Sequence, residues 1–269
     1  MLLALASFAG YALGGSYTVP LLVAFGFALA VIDTAFGMGY GTLATPVLLI
    51  AGFRSLDIVP AVLLSQGVAA GFATAFHLRY KNVDLFDLKG ADARISAAII
   101  GFGVVGVVAA VALAISLPSL YVKAYIGVLV VAMGLLLMAN PRFRFTWPRV
   151  FAVSLVNGFD KAISGGSFGP VAVGGLLSLG HDFRNSIGIA VFTVTAVNMA
   201  GLAVYLLSDV VGGTELYLMA TLCVGSVIGS AVGPAITSRL NARSHLKALA
   251  LLMVAVGALS LLTTFVRVP

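Results

Sequence analysis

The chain has 269 residues, of which 61% are hydrophobic and 9% are charged, and its mean hydropathy is +1.14. Soluble domains carry about 25% charged residues, so this composition excludes a soluble protein and predicts an integral membrane protein. The net charge of +6 is therefore interpreted as Lys- and Arg-rich cytoplasmic loops, with the lipid bilayer as partner and no nucleic acid.

The first half of the chain is predicted to consist of helices. The apolar runs are longer than the roughly 10 residues of a transmembrane β-strand, and each span must satisfy its own backbone hydrogen bonds in lipid. Residues 1–17 are interpreted as a separate short apolar segment at the membrane edge. The helices predicted for residues 18–139, the first repeat, are Thr18–Phe36, Gly39–Ala51, Leu56–Phe76, Asp92–Ser116 and Pro118–Met138.

The second half, residues 140–269, is predicted to repeat this arrangement after the loop NPRFRFTWP. The second helix of each half is short. Gly39–Ala51 would reach only about 20 Å, against a hydrocarbon core of roughly 30 Å, so helices 1–2 and 6–7 are predicted to form broken or re-entrant hairpins. The helices predicted here are Arg149–Ser164, Phe168–Leu179, Asn185–Leu207, Glu215–Ser238 and Lys247–Val266.

Two Gly-rich breaks between apolar segments support the repeat. They are DTAFGMGYGTLATPVLLIAG, Asp33–Gly52, and DKAISGGSFGPVAVGGLLSLG, Asp160–Gly180. A shift of 128 residues places Gly37 on Gly165 and Gly41 on Gly169. Such a long period indicates two structural halves, and paired Gly-interrupted apolar segments are typical of the site of a secondary transporter.

The distribution of positive charge predicts the topology. Most of the 15 Lys and Arg residues fall in loops 3–4, 5–6, 7–8 and 9–10, which are therefore expected to be cytoplasmic. Each half has an odd number of segments, so the two halves are predicted to be inverted relative to each other. Small-residue ladders on helices 4 and 9 are interpreted as close helix packing, and their glycines are Gly101, Gly103, Gly106, Gly225, Gly229 and Gly233.

The breaks predict a site for a small anion. A helix start presents unpaired N–H groups and the positive end of the helix dipole, and glycine lets the backbone approach a ligand closely. Hydroxyl and amide side chains nearby add donors, although a Ser or Thr in a membrane helix can equally bond its own backbone. The candidate binding residues are Gly37, Gly39, Gly41, Thr42, Thr45, Ser65, Gln66, Gly165, Gly166, Ser167, Gly169, Thr193, Thr195 and Asn198.

Charged residues beside the breaks are candidates for coupling or for attracting an anion. They are Asp33, Asp160, Lys161 and, after the short helix 2, Arg54. Asp33 and Lys161 occupy equivalent positions, so they are expected to pair near the axis between the halves, or one of them carries a coupling proton. The alternative is that each charge lies in a water-filled vestibule. His77 and His181 are expected at solvated membrane edges.

The paired breaks, each followed by a short apolar helix, resemble the TauE/SafE sulfite exporter family. The ending GSVIGSAVGPAITSRLNARSHLKALALLMVAVGAL also resembles the last two helices of that family, and the resemblance covers nearly the whole chain from about Val19. It implies duplicated halves and transport of sulfur-containing anions such as sulfite and organosulfonates. The breaks of this chain, GMGYG and SGGSFG, are less Gly-rich than the richest runs of the family.

The sequence therefore predicts a secondary transporter, and not an enzyme, in the bacterial cytoplasmic membrane. It is expected to export a small sulfur-containing anion by alternating access driven by a proton or ion gradient. Two alternatives stay open: a passive anion channel, and an intramembrane enzyme that uses Asp33 and Asp160 as an acid–base pair. No metal ligands with suitable spacing and no nucleotide-binding loop are found, so no cofactor is expected. The oligomeric state is open, with a homodimer as one option.

Overall fold

The computed structural model describes residues 18–84, 90–139, 146–166, 169–178, 181–208, 210–237 and 243–266. Within these segments all regular secondary structure is α-helical, which confirms the predicted class. The short segment expected at residues 1–17 lies outside the described residues. The helices are α1 Thr18–Phe36, α2 Tyr40–Ile50, α3 Ser55–Arg79, α4 Ala91–Ser116, α5 Ser119–Ala139, α6 Trp147–Ser164, α7 Gly169–Ser178, α8 Phe183–Leu207, α9 Gly213–Ser230, α10 Val232–Thr237 and α11 Arg243–Val266.

Most helix boundaries lie within a few residues of the prediction, but the helix predicted at Glu215–Ser238 is divided. It breaks at Ala231 into α9 and α10. Pro234 explains the break, because its nitrogen has no hydrogen to donate to the carbonyl of Ser230 and its ring crowds that carbonyl. A proline three residues after Ala231 is therefore the local signal that was overlooked.

Seven helices in the described part of the chain are long and apolar enough to cross a membrane. They are α1, α3, α4, α5, α8, the α9–α10 unit and α11. The short α2 has 11 residues, and all of them are buried in the bundle. At about 1.5 Å per residue such a helix cannot span the hydrocarbon core. It is instead enclosed by longer helices, among them α3 and α11.

The helix contacts are interchanged when each helix is replaced by its equivalent in the other half. Helix α1 packs on α9. The equivalents of these two helices are α6 and α4, and they also pack on each other. In the same way, the contact of α9 with α3 corresponds to that of α4 with α8. Two further contacts, α3 with α8 and α5 with α11, each join a helix to its own equivalent in the other half. This exchange supports two equivalent halves. Their inversion relative to the membrane stays a prediction.

Small residues allow the two equivalent contacts between helices to be close. A Cβ atom added to Gly225 on α9 would overlap the carbonyl of Val23 on α1, and one added to Gly106 on α4 would overlap the carbonyl of Leu155 on α6. The packing role predicted for these ladders is therefore confirmed at both positions. The prediction of close packing is wrong for Gly101, where an added Cβ atom would meet no atom within 4 Å.

Candidate functional site

The two breaks have the same turn at equivalent positions. Helix α1 ends before Gly37, which has φ +71° and donates its N–H to the carbonyl of Asp33 at 2.7 Å. Helix α6 ends before Gly165, which has φ +66° and donates its N–H to the carbonyl of Lys161 at 2.9 Å. Since left-handed φ values favour glycine, both positions depend on the absence of a side chain.

The breaks lie directly against each other in the bundle. Gly41 on α2 faces the second break, and a Cβ atom added to it would overlap the carbonyl of Gly165. Gly169, the first residue of α7, lies against Met38 of the first break, again with no room for a Cβ atom. The tertiary structure therefore brings together two backbone segments that are separated by more than a hundred residues of sequence.

A buried hydrogen-bonded network lies beside this contact, and Gln66 of α3 is at its centre. The side-chain amide of Gln66 donates to Asp33 Oδ2 at 2.9 Å, and its Oε1 accepts from Lys161 Nζ at 2.8 Å. The same Oε1 accepts from Asn198 Nδ2 of α8 at 3.1 Å. Four polar residues that were candidates from the sequence thus form one connected unit.

Each member of this network is inaccessible to solvent. Asp33 is 4% exposed, Gln66 is 1% exposed, and Lys161 and Asn198 are 0% exposed. Asp33 also accepts the backbone N–H of Tyr40 at 3.0 Å, so both of its carboxylate oxygens are satisfied. Buried opposite charges that are hydrogen-bonded offset part of the desolvation cost that each would carry alone.

Tyr40 is a site residue that sequence analysis missed. Its hydroxyl donates to Ser65 Oγ at 2.8 Å and contacts Ser226 Oγ at 2.6 Å, which ties α2 to α3 and α9. Tyr40 is 0% exposed. It was passed over because an aromatic residue in an apolar run is normally counted as core. Its place inside GMGYG, where a buried hydroxyl needs partners, was the available signal.

Hydroxyl groups without partners face the second break. Neither Thr42 Oγ1 nor Thr45 Oγ1 on α2 has a hydrogen-bond partner among the described residues, and both side chains are buried. A Cβ atom added to Gly165 would come within 2.9 Å of Thr45 Oγ1, and one added to Gly166 within 3.2 Å of Thr42 Cγ2. The amide oxygen of Asn198 is likewise without a partner. These atoms retain hydrogen-bonding capacity, the threonine hydroxyls beside the second break and the Asn198 oxygen beside Gln66.

Several other candidates lie apart from the network. Thr193 and Thr195 bond the carbonyls of Ala190 and Val191 on their own helix, at 3.0 and 3.5 Å. Arg54 is 74% exposed at the start of α3 and lies 3.8 Å from Asp57. Gly39, at φ +117°, is the N-cap residue that precedes α2, whereas Ser167 lies outside the described residues.

Asp160 is buried differently from Asp33. It lies on α6 with 1% exposure, and neither of its carboxylate oxygens has a hydrogen-bond partner among the described residues. Lys161, the next residue, directs its ammonium group to Gln66. Asp33 and Asp160 are therefore in distinct environments.

The expectation that His77 and His181 are solvated is wrong. His77 is 0% exposed, with its Nε2 at 3.0 Å from the carbonyl of Thr34 and its Nδ1 at 3.0 Å from Asn82. The side chain of His181 is 11% exposed and its Nδ1 lies 3.3 Å from Asp92. His181 thus contacts a residue of the other half, whereas His77 is held by two residues of its own half. Neither contact is revealed by a helix-end position in the sequence.

A bundle of apolar spans around paired helix breaks with a buried polar network is typical of membrane transporters. The family model described as "Sulfite exporter TauE/SafE" matches residues 21–261. The chain therefore belongs to the sulfite exporter TauE/SafE family, which confirms the resemblance found in the sequence, and this is a family of membrane transporters rather than of enzymes. No curated protein and no solved structure gave a significant match.

Proposed function

We propose that this integral membrane protein exports a small sulfur-containing anion, such as sulfite or a short organosulfonate, across the bacterial cytoplasmic membrane. Transport would proceed by alternating access, coupled to a proton or ion gradient. The observation that carries the proposal is Lys161, a fully buried ammonium group beside two facing helix breaks. The family match supports a sulfur anion as the substrate class.

The hydrogen-bonding capacity of Lys161 suits an oxyanion. An ammonium group has three donors, and in the described residues only Gln66 Oε1 accepts one of them. The hydroxyls of Thr42 and Thr45 are also unused. A sulfite or sulfonate group offers three acceptor oxygens and a negative charge, so an ammonium group and two hydroxyls suit it in charge and in number of donors. A buried cation next to spare hydroxyls is therefore the proposed anion site.

Asp33 compensates the charge of Lys161 when the anion is absent. The carboxylate is held by Gln66 and by the N–H of Tyr40 rather than by direct contact with the ammonium group. Lys161 can then exchange the oxygen of Gln66 for an oxygen of the anion while Asp33 keeps its own partners. Direct contact between the two charges would compete with the substrate more strongly.

The contact between the breaks supports alternating access. Because Gly41 touches Gly165, the backbone itself fills the space between the two breaks in this conformation. An anion reaches the unused donors only if one break moves relative to the other. The contacts of α1 with α9 and of α6 with α4 connect each break to the opposite half, so such a movement involves both halves.

Flux into proteoliposomes tests this function. The full-length protein is assayed with radiolabelled sulfite, thiosulfate, sulfoacetate and sulfate, with and without a pH gradient. We expect accumulation of sulfite or sulfoacetate that depends on the gradient, its loss in Lys161→Met, and its retention in Lys247→Met, which removes an exposed lysine. Flux that never exceeds equilibration would indicate a passive channel, and no flux of any of the four anions would contradict the proposal.

A further inference from the structure

We propose that the contact between Asp57 on α3 and Glu215 on α9 is a proton-dependent clasp, which joins the two halves at one end of the bundle at acidic pH and releases them at alkaline pH. The proton binds and leaves at that one end, so it shifts the balance between conformations and does not cross the membrane. The equivalent contact in the bundle joins Asn185 to Asp92 and needs no shared proton. The inference rests on the proposed function only where it assigns the clasp to a conformation of the transport cycle.

Asp57 and Glu215 are buried at the starts of their helices and lie against each other. They are 6% and 5% exposed, and their side chains are joined by a hydrogen bond. Asp57 Oδ2 also accepts the N–H of Arg54 at 3.3 Å, and Glu215 Oε2 accepts the N–H of Gly212 at 2.9 Å. Ionised carboxylates are acceptors only. A hydrogen bond between these two groups therefore exists only when one of them carries a proton.

The positive charge beside the pair is weak. Arg54 Nε lies 3.8 Å from Asp57 Oδ1, but the Arg54 side chain is 74% exposed, so water screens the attraction. Among the described residues, Arg54 and Glu215 are the charged groups that act on Asp57. The other titratable residues of α3, α9 and the helices packed against them are Asp33, Tyr40, His77, Arg79, Tyr121, Lys123, Tyr125, Arg149, Asp160, Lys161, Arg184, Tyr205, Tyr217 and Cys223.

The clasp has an equivalent contact in the other half-to-half interface. The shift of 128 residues places Asp57 on Asn185, and each is the third residue of its helix, α3 or α8. Glu215 and Asp92 likewise lie near the starts of the equivalent helices α9 and α4. The contact of Asp57 with Glu215 thus corresponds to the contact of Asn185 with Asp92.

Glycine contacts confirm the register of α9 and α4 in this comparison. A Cβ atom added to Gly229 of α9 or to Gly106 of α4 would overlap a carbonyl of the facing helix, α1 or α6. These carbonyls, 128 residues apart, belong to Phe27 and Leu155. The residue 14 positions before the glycine is Glu215 in α9 and Asp92 in α4. The two acidic residues are therefore at equivalent positions.

The two contacts lie at opposite ends of the bundle. A Cβ atom added to Gly201 of α8 would come within 3.1 Å of Leu63, near the start of α3, whereas one added to Gly71, further along α3, would come within 3.5 Å of Thr195. Residue numbers rise along α3 as they fall along α8, so these helices are antiparallel. Their starts are therefore at opposite ends, and the predicted topology places the start of α3 on the outer side.

The contact at the other end is made by an amide. Asn185 Nδ2 donates to Asp92 Oδ2, which also accepts the N–H of Asp84 at 3.3 Å. The Asn185 oxygen lies 2.6 Å from His181 Nδ1. Because the amide supplies its own hydrogens, this contact forms with Asp92 ionised. Equivalent places in the two halves thus have different proton requirements.

Loss of the shared proton releases the clasp. The proton passes to water and leaves two carboxylates in contact at a site that is largely closed to solvent. Like charges at such a distance repel, and each loses the hydrogen bond that offset its burial. The starts of α3 and α9 then separate. Acidity on the outer side therefore favours the conformation in which that side is closed.

Thermal unfolding of the full-length protein in detergent, without substrate, tests the shared proton. We expect the wild-type Tm to fall by roughly 2–4 °C from acidic to alkaline buffer as the proton is lost. Asp57→Asn gives the clasp the amide–carboxylate pair of the other end and should remove this fall. Glu215→Gln should do the same, and each new amide oxygen can still accept its capping N–H. An equal fall in the wild type and both variants would overturn the inference.

Asn185→Asp is the converse variant, because it puts a second carboxyl group beside Asp92. In the Asp57→Asn background it should restore a loss of Tm with rising pH, now from the other end of the bundle. If Tm stays independent of pH in this double variant, paired carboxyl groups at these positions do not confer the dependence, and the clasp is overturned.

Thiol labelling tests the release of the helices. In a variant without Cys223, Leu218→Cys places a thiol on α9 within one turn of Glu215, at a position that is 0% exposed, and Met219→Cys is a second reporter. At one alkaline pH, a thiol reagent should label either position several-fold faster with Asp57 present than in Asp57→Asn. The common pH removes the effect of pH on the thiol itself. Equal rates would overturn the release, whereas the proposed function is judged separately by anion flux.

Discussion

Asp33 and Lys161, which are equivalent residues of the two breaks, are joined through the side chain of Gln66 and not by a direct ion pair. Each also makes the turn that ends its helix, by accepting the N–H of Gly37 or Gly165. The local backbone is thus repeated, while the side chains are of opposite charge. The pairing expected from the sequence is present in an indirect form, with an amide that serves both charges.

We expect Asp33 and Lys161 to be energetically coupled. Asp33→Asn or Lys161→Met alone leaves one buried charge uncompensated, which should cost roughly 3–5 kcal/mol of the free energy of unfolding. The double variant should lose much less than the sum of the single losses. Unfolding in mixed detergent micelles gives the four free energies of the cycle. Additive losses would show that Gln66 does not transmit the interaction.

We expect the contact between the breaks to tolerate no side chain at Gly41. Gly41→Ala forces the backbone away from the carbonyl of Gly165, and Gly169→Ala forces it away from Met38. Each variant should abolish anion flux and lower the thermal stability.

The matched control for these variants is Gly101→Ala. That added methyl group meets open space within a helix, and Ala is favoured over Gly there by about 0.5–1 kcal/mol. Flux and stability should therefore be at least those of the wild type. Normal flux in Gly41→Ala would show that the breaks do not need their close contact.

We expect the hydroxyl of Tyr40 to stabilise the position of α2. Tyr40→Phe removes its contacts with Ser65 and Ser226, whose hydroxyls keep bonds to carbonyls of their own helices. The loss should be about 1 kcal/mol in the free energy of unfolding. Tyr121→Phe, at a side chain that is 65% exposed, is the control and should change little. Equal effects of the two substitutions would contradict a role for the Tyr40 hydroxyl.

We expect the basic loops to be cytoplasmic. In a variant without Cys223, a cysteine introduced as Asp84→Cys lies in loop 3–4, and one introduced as Ser208→Cys lies in loop 8–9. An impermeant thiol reagent added to intact cells should label position 208 and not position 84. Labelling of position 84 from outside would reverse the topology and with it the predicted inversion of the halves.

The sequence alone determined the membrane class, the boundaries of most helices and the equivalence of the two breaks. The reason is that a helix in lipid satisfies its hydrogen bonds within its own segment, so local apolar length and Gly or Pro positions decide where it begins and ends. The left-handed glycines Gly37 and Gly165 illustrate this, because their turns involve only four preceding residues.

The tertiary structure alone decided which polar groups meet. Gln66 lies between Asp33 and Lys161, Tyr40 reaches Ser226, and Asp160 has no partner among the described residues. All three results depend on how each helix is rotated against others far away in sequence. Rotation is set by side-chain packing over whole interfaces, such as the glycine contacts of α9 with α1 and of α4 with α6. A pattern within one segment carries no information about that angle, so the sequence predicted the candidates and only packing selected among them.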